Sequence, residues 1–121
     1  MKPKLVYIAH PVATDEKFTT EQNVQDILRI VKNINNGDRP VFPPFEGKIV
    51  PCVPYLSDVL AMNDSISQER KIGIDNGMAV INTGMFDELW LTGHKLSLGM
   101  QEEVNLFKLQ GKPIINLIEK I

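Results

Sequence analysis

The chain has 121 residues, the length of one domain, since two halves of about 60 residues would each leave a marginal core. Hydrophobic residues make up 43% and charged residues 23%, ordinary values for a folded globular chain that argue against disorder or fibrous structure. Thirteen Lys and Arg against fifteen Asp and Glu give a net charge of −2, which leaves no basic excess to track a phosphate backbone and argues against a polynucleotide partner.

No apolar run approaches the roughly 18 residues of a membrane span, and Met1–Val12 lacks the design of a signal peptide. The single cysteine, Cys52, excludes an internal disulfide framework and a thiolate zinc cluster. A single cytoplasmic domain over residues 1–121, without membrane contact, is the expectation.

Leu5-Val6-Tyr7-Ile8-Ala9 is a continuous apolar run, the pattern of a strand covered on both faces, and His10-Pro11 stops it. Residues 10–19 read as a loop, with Thr19 or Thr20 capping a helix that carries Glu21 in its first turn. Val24, Ile27, Leu28, Val31 and Ile34 recur at three- and four-residue steps, so this helix is amphipathic, and Asn35-Asn36-Gly37 ends it. Arg39–Phe42 is predicted as a second short strand.

Between Phe42 and Ser57 stand Pro43, Pro44, Pro51 and Pro54, which predict a long irregular loop rather than ladder or helix, a natural lid. Tyr55–Met62 allows one or two helical turns. Residues 66–83 read as a helix with Ile66, Ile74, Met78 and Ile81 on its buried side. Asp87–Leu91 is a third strand, Gly93–Leu96 a loop, Ser97–Gln110 a last helix closed by Gly111, and Lys112–Ile118 a fourth strand.

Alternating strands and helices imply right-handed β-α-β units and an α/β fold: a three-layer sandwich with a small parallel sheet of about four to five strands, flavodoxin- or Rossmann-like. In such sheets ligands bind beyond the carboxyl ends of the strands. His10-Pro11, Pro43-Pro44 and Thr92–Ser97 are expected to converge there.

Ser97-Leu98-Gly99-Met100 stands where the third strand's loop enters the last helix. Ser97 is a good cap, and free amides beside Gly99 suit a phosphate or a sugar hydroxyl. Glu102 and Glu103 cannot share a helix face: Glu103 lies in line with Gly99, Leu106 and Phe107, and Glu102 falls toward Leu98, Asn105 and Leu106. A carboxylate bordering an apolar stripe must be solvated, paired or functional.

Asp87 reads as a turn residue, and Asp75 and Asn76 as surface positions. His10 is a lone histidine without a partner at metal spacing, His94 faces solvent from its loop, and Cys52 has no neighbouring base. Neither a P-loop nor G-x-G-x-x-G is present, and G-x-S-x-G is absent. No metal or cofactor is expected, and carboxylate chemistry at a strand-to-helix junction is the resource that remains.

Taken together, Val6-Tyr7-Ile8-Ala9-His10-Pro11, Asn23, Pro40 with Pro43, Arg70, Asp87-Glu88-Leu89-Trp90, Ser97-x-Gly99-Met100-x-x-Glu103 and Gly111-Lys112-Pro113 resemble, over nearly the whole chain, the nucleoside 2-deoxyribosyltransferase-like superfamily, and within it the small bacterial and phage branch. The resemblance implies a nucleoside or nucleotide N-glycosidase or 2-deoxyribosyltransferase-like enzyme with Glu103 as the nucleophile on the anomeric carbon.

It also implies that Tyr7 lies near the sugar and orients Glu103, that Ser97 with Gly99 and Met100 holds the sugar or a 5′-phosphate, and that His10, Asn23 and Asp87 line the substrate. Ala79 stands where the transferases carry an acid, and Lys95-Leu96 where they carry a second. His10 and Asp75 are the substitutes for leaving-group activation. The resemblance further implies a homodimer or larger homo-oligomer acting on a small-molecule nucleoside or nucleotide. The rival readings are a catalytically silent nucleotide-binding module of the same fold and an interaction protein with a vestigial pocket.

Overall fold

The computed structural model describes residues 1–63 and 65–121. In chain order the elements are β1 (Lys4–Ala9), α1 (Thr20–Asn35), β2 (Ile49–Cys52), α2 (Leu56–Ala61), α3 (Ser67–Asn82), β3 (Glu88–Leu91), α4 (Leu98–Leu109) and β4 (Ile114–Asn116). The strands form one parallel sheet in the order β2-β1-β3-β4, so the α/β expectation holds. Connections from β1 and β3 run to opposite sides of the sheet, which places a topological switch point at the carboxyl ends of these two central strands.

Because side chains alternate along a strand, β1 sends its residues to two separate cores. Val6 and Ile8 join Ile30 and Ile34 of α1, with Ile49, Trp90 and Leu117, on one face. Tyr7 and Ala9 join Met100, Val104 and Phe107 of α4, with Ile81, Phe86, Leu89 and Leu91, on the other. Thr19 caps α1 in a reciprocal box with Gln22 (3.1 and 2.9 Å). The buried stripe of α1 is Asn23, Val24, Ile27, Ile30 and Ile34, while Leu28 is exposed.

Four expectations are corrected. Arg39–Phe42 is not a strand: the Arg39 guanidinium donates to the carbonyls of Ile34 and Asp38 (3.2 and 2.9 Å), closing the end of α1. β2 forms ten residues later and contains Pro51, opposite Val6. It is an edge strand with a ladder on one side only, the setting in which a proline's missing N–H is tolerated.

In consequence Pro43 lies at the amino-terminal edge, beside Lys4, Ile49 and Glu88. The Pro43-Pro44 segment therefore does not reach the carboxyl edge and cannot cover it; the chain leaves β2 at that edge through Pro54-Tyr55. Finally, α3 packs mainly against α4. Of its expected buried side only Ile81 is buried, with Ile66, Ile74 and Met78 exposed alongside Ile72.

Candidate functional site

Tyr7 and Glu103, from β1 and α4, meet on the α4 face of the sheet, where the Tyr7 hydroxyl donates to Glu103 Oε2. The tyrosine ring is set by edge-on contacts with Phe86 and Phe107 (centroids 5.2 and 5.8 Å) and a tilted contact with Tyr55 (5.9 Å). Tyr55 in turn donates to the carbonyl of Ile8 at 2.7 Å, so it is tied to the neighbouring residue of β1. Reading the chain without β2 in its true position gives no reason to place Tyr55 here; a strand ending at Cys52 does.

Burial is the main influence on Glu103 and raises its pKa from 4.5 to about 7. The Tyr7 hydrogen bond opposes that rise, and the nearby charge of Glu102 adds to it. Burial, then the charge and hydrogen bond of Glu103, push the Tyr7 phenol far above its ordinary range, so Tyr7 acts as a donor throughout physiological pH. A carboxyl poised near neutrality with a fixed phenolic donor is suited to nucleophilic or acid–base work.

Six residues before Glu103, nearly two turns, Ser97 caps α4 by accepting from the Met100 N–H at 3.2 Å. Among the described residues, a Cβ added at Gly99 would meet nothing within 4 Å. The first turn of α4 carries no acidic residue, and Met100 is buried in the core below. This helix end therefore has the electrostatics of an anion or hydroxyl site.

The remaining candidates lie elsewhere. Asp87 sits at the amino-terminal edge and accepts the Leu5 N–H at 2.8 Å, a strand-start clasp away from Tyr7 and Glu103. His10 continues the Val6–Ile8 side of β1 and faces α1. Its Nε2 lies 2.7 Å from Asp26 Oδ2 and its Nδ1 2.6 Å from the carbonyl of Pro11. It thus stands across the sheet from Glu103 and cannot activate a leaving group there.

Asn23, also buried, donates to the carbonyl of Val12 at 3.2 Å and anchors the loop before α1. Asp75 is exposed and paired with Lys71 at 2.8 Å. His94 is not solvent-facing: its Nε2 lies 2.7 Å from Asp15 Oδ2, and its ring stands edge-on to Phe18 at 4.9 Å.

Partners for both histidines come from positions that spacing alone does not single out. Asp15 also receives the N–H groups of Lys17 and Phe18 (2.8 and 2.9 Å) and the Lys95 ammonium (2.8 Å). It thereby ties the β1–α1 loop to the loop that leads into Ser97. Its carboxyl is held well below the usual range, first by Lys95 and then by the backbone of Phe18 and by His94. Burial works to raise the Asp26 carboxyl, and hydrogen bonds from His10 and Arg29 outweigh it and keep it lowered. Among the described residues no group of three or more His, Cys, Asp or Glu is placed to hold a metal ion, and no helix is long and apolar enough to cross a membrane.

The family described as a domain of unknown function (DUF7768) matches residues 4–117, and the chain belongs to it. No curated protein and no solved structure matches the chain.

Proposed function

We propose that this DUF7768 chain is a nucleoside or nucleotide N-glycosidase or 2-deoxyribosyltransferase-like enzyme. The observation that carries the reading is the part-buried, hydrogen-bonded Tyr7–Glu103 pair, with Glu103 one turn after Gly99 near the amino terminus of α4. In this reaction the Glu103 carboxylate attacks the anomeric carbon while the N-glycosidic electron pair departs with the base, which takes up a proton from water. Water or a second base then displaces the glycosyl ester and returns the carboxylate. Tyr7 holds the attacking oxygen in line, and the amides around Gly99 with Ser97 receive a 5′-phosphate or sugar hydroxyl.

The exposed apolar side of α3, formed by Ile66, Ile72, Ile74 and Met78, supports a homodimer or larger assembly in which a second copy covers this helix. A nucleotide-binding module without turnover is the second reading. It is favoured by Ala79 and Lys95 at the positions where the resembled transferases carry acids, and by the surface pairing of Asp75 with Lys71.

Incubation with deoxynucleosides and deoxynucleoside monophosphates, with chromatographic detection of free base, tests the enzyme. Release from the wild type and its loss in Glu103→Gln is the expected result, and release that persists unchanged in Glu103→Gln overturns the nucleophile assignment. A rise in melting temperature with nucleotides, without any base release, establishes the silent module instead.

A further inference from the structure

Across the sheet from Glu103, a cleft of about 440 Å³ opens at the carboxyl ends of β1 and β3, the switch point of the sheet where open α/β folds take ligands. We infer that this cleft is a second small-molecule site, for an uncharged planar heterocycle of the nucleobase class. It does not rest on the glycosyl-transfer reading, because none of its walls is shared with Tyr7 or Glu103.

Its floor is rigid. His10 is buried and held at both ring nitrogens, by Pro11 and Asp26. Gly93 closes over it with φ of +89°, and a Cβ there would come within 2.5 Å of the Pro11 ring and 3.2 Å of the His10 imidazole. Gly93 therefore packs its backbone directly on Pro11 and the imidazole, which fixes the floor of the cleft.

One wall is aromatic. Phe18 is partly exposed to the cleft and locked in place, since its ring meets His94 and its N–H binds the same Asp15 carboxylate that holds His94. The opposite rim is polar: Gln22, Asp26 and Arg29 are spaced by four and three residues, so a single stripe of α1 faces the cleft, with Gln25 beside it. Gln22 gives its Oε1 to the α1 cap and so presents its amino group, while Gln25 offers both halves of a carboxamide, the group that pairs in bidentate fashion with the donor–acceptor edge of a base.

The charges disfavour an anion. Asp26 is matched by His10 and Arg29, and Glu119 stands at the outer rim, so no cation is left over for a phosphate. An aromatic wall, a rigid floor and a carboxamide edge on a lining without a spare cation are the recognition elements of a free base.

The test is titration of the intact protein with adenine, guanine, cytosine, thymine and uracil at pH 7.5, read by calorimetry and by amide chemical-shift mapping. Saturable binding of at least one base is expected, with shifts centred on Phe18, Gln25 and Gly93. Phe18→Leu and Gln25→Ala, both at exposed side chains that leave the cores intact, are each expected to weaken it about tenfold, and Glu103→Gln to leave it unchanged. Absence of saturable binding by all five bases overturns the inference. So does binding that is lost in Glu103→Gln or undiminished in both cleft variants. Base release from nucleosides is a separate assay, so this inference and the glycosidase reading fail independently.

Discussion

Replacing Glu103 with glutamine keeps the size of the side chain and an acceptor for the Tyr7 hydroxyl while removing a buried titration. In the folded chain this carboxyl holds its proton up to about pH 7 instead of the ordinary 4.5. Between those values the folded state binds a proton that the unfolded chain has lost, so stability falls as pH rises through that window and levels off above it. At about 1.4 kcal/mol for each tenfold change in proton affinity, the interval corresponds to a loss of about 3 kcal/mol at most.

Glu103→Gln removes this dependence. The variant is expected to match the wild type near pH 4.5 and to exceed it by up to about 3 kcal/mol at pH 8. Urea denaturation of both proteins at half-unit steps from pH 4.5 to 8.5, with the midpoint and slope fitted at each, measures the difference. The lowered carboxyls of Asp15 and Asp26 titrate below the window and cancel between the two proteins. Parallel stability profiles across it would refute the claim that Glu103 is ionised at a cost.

If Glu103 is the nucleophile, kcat/KM for base release rises tenfold per pH unit below about 7 and is flat above, and a profile flat from pH 5 to 8 removes it from that role. Gly93→Ala forces a Cβ into Pro11 at a positive φ and is expected to cost about 2 kcal/mol in urea unfolding, whereas a loss under about 0.5 kcal/mol contradicts the packing described.

Asp26→Asn takes the carboxylate from His10 and Arg29 and is expected to cost about 1 kcal/mol at pH 7. Because the Asp26 carboxyl is lowered in the fold, that cost is present above the ordinary carboxylate range and vanishes as pH falls through the lowered value. A difference that grows as pH falls below the ordinary carboxylate range contradicts the assignment. Ile74→Lys together with Met78→Glu on α3 is expected to give a monomer with unchanged far-ultraviolet circular dichroism, and a wild type already monomeric in sedimentation at 100 times lower and higher loading contradicts the covered-helix reading.

Local signals carried much of this fold. The uninterrupted apolar run of β1, the Thr19 and Ser97 caps and the spacing of α1 and α4 each have a near-neighbour cause, and the structure places them within a residue or two of expectation. Glu103 was separable from Glu102 only weakly by helix angle, and its partner Tyr7 lies 96 residues away, a pairing that depends on which strands are adjacent.

β2 escaped because proline density argues against a strand, and the exception depends on edge position, a property of the whole sheet. The side of α3 was misjudged because an apolar spacing identifies a face that seeks cover without showing whether this chain supplies it. His10 met Asp26 and His94 met Asp15 through loop closure, which no periodicity encodes.

The division of labour along β1 sets where this chain tolerates added length. Tyr7 and His10 stand on opposite faces because they are three positions apart, an odd number, so an insertion or deletion of one residue between them would put both on the same face. The segment 36–48, at the far edge of the sheet, has no such parity to keep. Within it Arg39 closes α1 and Val41 and Phe45 pack on the core, so the exposed turn at Gly37 is the point where a tag or short extra loop should leave the carboxyl-edge cleft and the Tyr7–Glu103 pair as they are.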